Sequence, residues 1–553
     1  MSYFDLGSHR KPVSTTSKEA QLWFDRGLNW CFGFNQEEGV ACFQKALEYD
    51  PQCVMAYWGI AYAAGPFYNL PWRHFGEEES TECTKFCYEQ IQKARQYAAS
   101  ASALENALVE ALSFRFQKPH PVSPEDFDNW DKGYSDAMRK VYKRFPDDHD
   151  VAALFIEALI TRTPWKLWDV KTGIPPAGAD TYEALEVCEH SIATRDKQGA
   201  TQHPAILHLH IHILEMSNEP ERAMRSADLL GTMCPDAGHM NHMPAHIYAL
   251  CGQYEKSKIA SIKSIRADDM YVDYAGAFNF YTSARCHDLH MQMYTCMFLG
   301  QYTSAIEAAE KMCQTLTTEV LSVKSKPQLA VTMEGYYSMK MHVLIRFGRW
   351  QDIVDTPMPV DPRLYCVSTA MHHYAKGIAF ATLGLFEEAN LQRQSFHESF
   401  KHLPSDRSLF NNTAASILAI GEKMLDGEMA YHQGNYDKAF VHLRESVELD
   451  DNLEYTEPWA WMHPPRHALA ALLMEQGYFT EAEDVYRTDL GLNNKLQRCA
   501  QHPHNVWALH GLVECLKQRG EDELLADLEP ELVNALLKTD VEIRSSCMCR
   551  TKT

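Results

Sequence analysis

One punctuation mark recurs through the second half of the chain: a glycine, any residue, then an aromatic, set between an apolar helical stretch and an alanine-rich one. It stands at Gly252-Gln-Tyr254, Gly300-Gln-Tyr302, Gly348-Arg-Trp350, Gly384-Leu-Phe386, Gly434-Asn-Tyr436 and Gly477-Tyr-Phe479. After it come runs such as YDKAFVHLRESVELD and FTEAEDVYRTDL, with apolar residues three and four apart, the spacing of one helix face. Each unit is therefore a helical hairpin. One hairpin cannot bury its apolar face alone, so the units must stack. Their turn glycines are 48, 48, 36, 50 and 43 residues apart, so the units differ in length.

Nearer the N-terminus, GVACFQKALEYDPQCVMAYWGIAYA has the same form, with Pro51 just past one helix and Gly59 inside the next for close packing. These small, aromatic and proline positions resemble those of the tetratricopeptide repeat (TPR), clearest over residues 20 to 65 and 203 to 538. Most units are longer than that family's period of about 34 residues. The resemblance implies an all-α, TPR-like α-solenoid, a right-handed superhelix of helical hairpins with a concave inner groove. TGIPPAGADTY (172 to 182) and SVKSKPQLAV (322 to 331) read as loops of ordinary length, not linkers. The expectation is one superhelical domain over 1–553, with degenerate repeats in 1–200, histidine-bearing repeats in 201–355 and C-terminal repeats in 356–553.

Residues thirteen, ten and six positions before a turn glycine lie within about 60° of one another on a helix. Before Gly252 these are His239, His242 and His246; before Gly300 they are His287, His290 and Tyr294. The preceding unit, HPAILHLHIHILEMSNEPERAMRSADLL, aligns by its alanine-rich second helix and sets His208 and His212 34 residues before His242 and His246. Glu215 continues that stripe, and the unit ending at Gly348 adds His342. In TPR proteins first-helix residues at these offsets line the groove. The resemblance thus implies that His208, His212, Glu215, His239, His242, His246, His287 and His290 lie on facing inner helices of three neighbouring units.

Packing has no reason to demand imidazole repeatedly at one place, and so many potential cations would cost stability unless something holds them neutral. A metal ion does so by occupying their lone pairs. Two histidines at i, i+4 form a helical chelate, and His208-x-x-x-His212-x-x-Glu215 adds a carboxylate. These eight residues are the expected metal site. Seven imidazoles exceed the needs of one ion, which points to two ions or to one with supporting histidines. Nitrogen ligands favour copper, iron, zinc or nickel over magnesium or calcium. A pair of copper or iron ions with open positions would activate dioxygen, whereas two zinc ions would activate water. Pro244, placed in the first turn of its helix, would leave His239 and His242 at the helix entrance.

A narrower resemblance rests on HPAILHLHIHILE, AGHMNHMPAHIY, CHDLH, WAWMHPPRHALAALL and AEDVYRTDL. These strings are similar to a group of long histidine-bearing TPR proteins of microbes, of unassigned activity. Asp288 in CHDLH departs from that group, which has asparagine there. Tyr294, His342, His467 and His510 are expected to touch substrate in the groove; His467 and His510 share the ten-residue offset of His242 from their turn glycines. His203, His463 and His502 each precede a proline, a position of helix caps and turns. No phosphate-binding glycine loop, dinucleotide fingerprint or Gly-x-Ser-x-Gly elbow occurs.

A net charge of −22 argues against a nucleic-acid or anionic-membrane footprint and suits cations. No apolar leader and no run of about 18 apolar residues is present. The sixteen cysteines follow no disulfide framework. The sequence therefore reads as a cytoplasmic protein with mostly reduced thiols. Its expected function is that of a metal-dependent, oxygen-using oxidoreductase with two copper or iron ions, or zinc. The expected partner is a small-molecule substrate, with no nucleic acid and no membrane. Beside this stand a TPR scaffold binding a partner's peptide and a two-zinc hydrolase.

Overall fold

A computed structural model of the chain describes residues 3–121, 123–323 and 328–550. The fold is all-α and of the TPR-like α-solenoid class, built from helical hairpins. Among the described residues the strands are a single two-residue pair, Ser408–Leu409 with Asn412–Thr413. No described helix is long and apolar enough to cross a membrane. Contacts gather the chain into two compact units: Met1–Pro244 with Arg266–Asp273, and Ala245–Ile265 with Tyr274–Thr553.

The expected turn glycines share one backbone conformation. Gly252, Gly300, Gly348, Gly384, Gly434, Gly477 and Gly520 all have φ between 62° and 81°, the left-handed conformation that closes a helix without a Cβ penalty. At Gly300 the amide of Gln301 bonds back to the Cys296 carbonyl at 2.9 Å. That closure ends helix Tyr281–Leu299 and lets Tyr302–Thr315 begin at once.

In the first unit, helices Lys18–Phe32, Gln36–Tyr49 and Val54–Ala64 meet over the ring of Phe43, which is fully buried. A Cβ added to Gly27 or to Gly59 would lie 2.7 Å from that ring, so both glycines are there for close approach. Among the described residues, the rest of the degenerate repeats, 66–200, holds five further α-helices, Glu77–Gln96, Ala103–Leu112, Pro124–Arg144, His149–Ile160 and Thr181–Lys197. The loop expected at 172 to 182 ends at Asp180, the N-cap of the last of these, which starts at Thr181. Residues 3 to 17 precede the first helix as a chain anchored by side chains: Tyr3 donates to Glu38 at 2.6 Å and the Ser14 amide donates to Glu105 at 2.6 Å.

In the second unit, the hairpins Cys366–Thr382 with Phe386–Lys401, Ala414–His432 with Tyr436–Asp451, and Pro465–Glu475 with Phe479–Asp489 repeat the same plan. Of the expected loop 322 to 331, residues 324–327 lie outside the described residues, and Gln328–Met333 is a short helix. Pro244 departs from its expected place. Helix Gly238–Leu250 starts six residues before it, so the proline sits inside the helix and not in its first turn.

Because Phe43 leaves no room at Gly59, a Gly59→Ala variant is expected to lose about 1–3 kcal/mol through overpacking. Urea denaturation of the variant against the parent measures this, and an unchanged midpoint would show that the ring can move aside.

Candidate metal centre

Helix Pro204–Leu214 opens with proline at its first position and is buried on every side. His208 and His212, four residues apart, share one face. His210 points the other way, its Nδ1 2.8 Å from Ser226 Oγ. His208 donates Nδ1–H to the Phe32 carbonyl at 2.7 Å, which fixes its tautomer and turns its Nε2 lone pair inward. His212 does the same through Glu215, with Nδ1 2.7 Å from Oε1. His239, in the first turn of helix Gly238–Leu250, brings Nε2 to 3.1 Å from His208 Nε2. One ligand atom from each of His208, His212 and His239 falls within 4.8 Å of the others.

These rings are 2% exposed or less. Phe34 covers all three, its centroid 4.5 Å from His208, 5.5 Å from His212 and 5.2 Å from His239. It does so from a left-handed backbone, φ 56°, which costs a non-glycine residue about 1 kcal/mol. Tyr68 closes another side, 4.7 Å from His212. Burial raises the Glu215 carboxyl well above its usual range.

The second unit repeats the device. His246 Nε2 lies 3.2 Å from His287 Nε2, while His246 Nδ1 lies 3.2 Å from Glu457 Oε2. Burial lowers the His246 pKa against the upward pull of Glu457. Burial likewise pushes His287 far down, and His246 and His290 add to it. Both rings are neutral and able to coordinate. Two nitrogens bound to one ion at about 2.05 Å lie about 2.9 Å apart at a right angle and about 3.4 Å apart at the tetrahedral angle. The observed 3.1 and 3.2 Å fall between these limits.

Beside His246 is a small cavity of about 30 Å³, also lined by Glu457, Tyr294 and His502, with room for roughly one or two waters. Tyr294 donates its hydroxyl to His502 Nε2 at 2.8 Å. His502 Nδ1 and His467 Nε2 each bond Asp489 at 2.8 Å, and Arg346 donates to His467 Nδ1 at 2.7 Å. Burial alone would raise Asp489; the two histidines hold it far below the usual carboxylate range.

The expected site residues thus separate. Glu215 contacts His212 Nδ1 through Oε1 at 2.7 Å. His242 is buried one turn before His246 on the same helix. His290, three residues beyond His287, turns away from it: its ring stacks on Phe410 at 4.7 Å and meets Tyr336 at 5.5 Å. A three-residue step rotates a side chain by about 60°, enough to give it other neighbours. Among the described residues, His290, His342, His467 and His510 belong to no group able to share an ion. His342 packs edge-on to Trp461 at 4.7 Å, and His510 is half-buried on helix Val506–Arg519. His502 does not cap its helix; Asn505 does, accepting from the Ala508 amide at 2.9 Å. Sequence reasoning also missed Glu457 and Asp489, which lie in or beside the quoted strings WAWMHPPRHALAALL and AEDVYRTDL.

No family model and no curated protein matches the chain. Several solved structures are distantly similar to it. The human IFIT1 dimer with PPP-AAAA is 10% identical over 92% of this chain and 88% of that one, with a TM-score of 0.32. The APC/C hetero-tetramer Cut9-Hcn1 is 12% identical over 96% of each chain, TM-score 0.28. Yeast Tom70 is 10% identical over 95% of this chain and 93% of that one, TM-score 0.29. The expected small-molecule partner, with nucleic acid excluded, has no counterpart among them: one structure is of IFIT1 with PPP-AAAA and another is of Cut9 with Hcn1. Net charge describes a whole surface, not one local binding face, and so could not decide the partner.

Burial pushes His342 down to about 3. As pH falls below the ordinary value of 6.5, the unfolded chain takes up a proton that the folded chain refuses, so stability drops between pH 6.5 and about 3. Each such imidazole contributes about 1.4 kcal/mol per pH unit. His342→Phe is expected to flatten the metal-free protein's stability slope between pH 6 and 4 by about that amount. Urea midpoints at several pH values measure it, and an unaltered slope would place His342 outside the titrating set.

Proposed function

We propose that this chain is a helical-repeat protein that holds a transition-metal ion in its interior, with His208, His212 and His239 as ligands. One observation carries the reading. Three buried imidazoles converge on a single point, and the two on helix Pro204–Leu214 have their other ring nitrogen engaged by Phe32 and Glu215. This is the arrangement of a metal-ligating histidine and its outer partner. His246 and His287, backed by Glu457, offer a second nitrogen pair of the same design.

Imidazole ligands suit copper, iron and zinc. Three protein ligands leave a coordination position open, at which copper or iron supports oxygen chemistry and zinc supports hydrolysis. Phe34 and Tyr68 keep bulk water from the ion, and Glu215 holds the His212 ring in the ligating tautomer. An oxygen-using oxidoreductase is the finer form of this proposal.

A scaffold that binds a macromolecular partner is the second reading. It is favoured by Ile259, Ile262 and Tyr274, which are 53%, 48% and 59% exposed on helix Tyr254–Ala275 within an arc of about 120°. Interrupted by the exposed Lys263 and Arg266, this apolar stripe facing solvent is a partner-binding feature.

Elemental analysis of full-length protein from metal-replete expression is expected to return copper, iron or zinc, with about one equivalent lost in a His208→Ala, His212→Ala variant. Metal-free wild type would overturn the proposal. Glu215→Gln should weaken affinity by about 10–100-fold in competition with a chromophoric chelator. For the scaffold reading, an Ile259→Ser, Ile262→Ser, Tyr274→Ser variant should lose a protein or RNA that co-purifies with the parent while keeping its melting temperature. Identical co-purification would remove the stripe as a docking face.

A further inference from the structure

A third cluster, His9, Asp150 and His203, lies in the first unit and shares no residue with the two histidine groups above. His9 comes from the segment before the first helix, Asp150 from the first turn of helix His149–Ile160, and His203 from the residue preceding Pro204. His9 Nε2 is 2.9 Å and His203 Nε2 is 3.3 Å from the same atom, Asp150 Oδ1. The two rings stand edge to face at 4.3 Å, and the three ligand atoms all lie within 4.8 Å of one another. His203 sits at the helix N-cap position, yet its side chain bonds no helix amide; it is spent on Asp150.

We propose that His9, Asp150 and His203 form a binding site for a divalent first-row transition ion that fastens the N-terminal segment to two helices. Two imidazoles and one carboxylate on one side of an ion are a donor set for iron, cobalt or zinc. With bonds of about 2.1 Å, adjacent ligand atoms of a six-coordinate ion are about 3.0 Å apart, close to the 2.9 and 3.3 Å observed. The side chains of His9 and Asp150 are 15% and 13% exposed, so an ion can enter from solvent and keep water on its open positions.

The local charges fit an ion as well. Burial alone would raise Asp150, but hydrogen bonds from His203 and His9 hold it well below its ordinary value, so it is anionic. Burial lowers His203 to about 4, so it is neutral. The second carboxylate oxygen faces Lys11 Nζ at 3.6 Å, leaving Oδ1 as the coordinating atom. The site also adjoins the interior centre. The Phe32 ring packs against His203 at 5.4 Å and His9 at 5.8 Å, while the carbonyl of the same residue orients His208. An ion that pins His9 therefore steadies the residue on which the His208 tautomer rests.

The test is cobalt(II) titration of the full-length, chelator-stripped chain, read by equilibrium dialysis and visible absorption. Wild type is expected to bind about one equivalent more than His9→Gln. That extra equivalent should have the weak absorption of six-coordinate, water-bearing cobalt, unlike the intense absorption of a four-coordinate imidazole site. His212→Ala should retain the weak band, so that this site and the His208 centre succeed or fail separately. In wild type, cobalt should slow tryptic cleavage after Arg10 by about tenfold, with no such protection in His9→Gln. His9 lies outside any helix, and an unchanged melting curve confirms that the substitution leaves the fold intact. Equal cobalt stoichiometry in wild type and His9→Gln, or equal cleavage with and without cobalt, overturns the proposal.

Discussion

A neutral imidazole carries one donor and one acceptor, and when it is buried the group that engages one nitrogen decides what the other can do. At His208, His212 and His246 the outward nitrogen is bonded to the Phe32 carbonyl, Glu215 and Glu457 respectively. Everything the site can do follows from that division of labour, because it decides which nitrogen each ring presents inward. Three consecutive residues at the end of the first helix carry much of the load. Phe32 supplies the carbonyl, Gly33 ends the helix, and Phe34 takes a left-handed conformation that lays its ring over all three histidines of the cluster.

The same rule separates the candidate ligand histidines from others equally buried. His290 and His342 are each 1% exposed or less, and neither ring nitrogen has a hydrogen-bond partner among the described residues. They are packed as flat apolar plates, His290 against Phe410 and His342 against Trp461. Their desolvation keeps them neutral, with pKa values pushed down to about 3. Burial alone therefore does not mark a ligand; convergence of nitrogens with an engaged partner behind them does.

The turns were legible because a positive φ is a local demand that glycine alone meets cheaply, so Gly252 through Gly520 announce themselves without tertiary information. His208, His212 and His239 were legible because helical spacing and repeat period are both properties of the chain. The hydrogen bond between Glu215 and His212 was not, since three residues of spacing place the two on one stripe without saying what each touches. Glu457, Asp489 and His502 were hidden for another reason. Their partners lie far away in sequence, as with His502 and Tyr294, 208 residues apart, and no periodicity encodes such a pairing. Charge misled for the same reason in reverse, because a sum over 553 residues carries nothing of where a binding face lies.

Pro244 shows how one residue can shape the supply of ligands. Inside helix Gly238–Leu250 it has no amide hydrogen to give the Met240 carbonyl, and its ring crowds that turn. Its ring is accommodated by a glycine: a Cβ on Gly231 would sit 3.6 Å from Pro244 Cγ. The division between the two compact units falls immediately after it. His239 stands before this break and joins His208 and His212; His246 stands after it and joins His287 and Glu457.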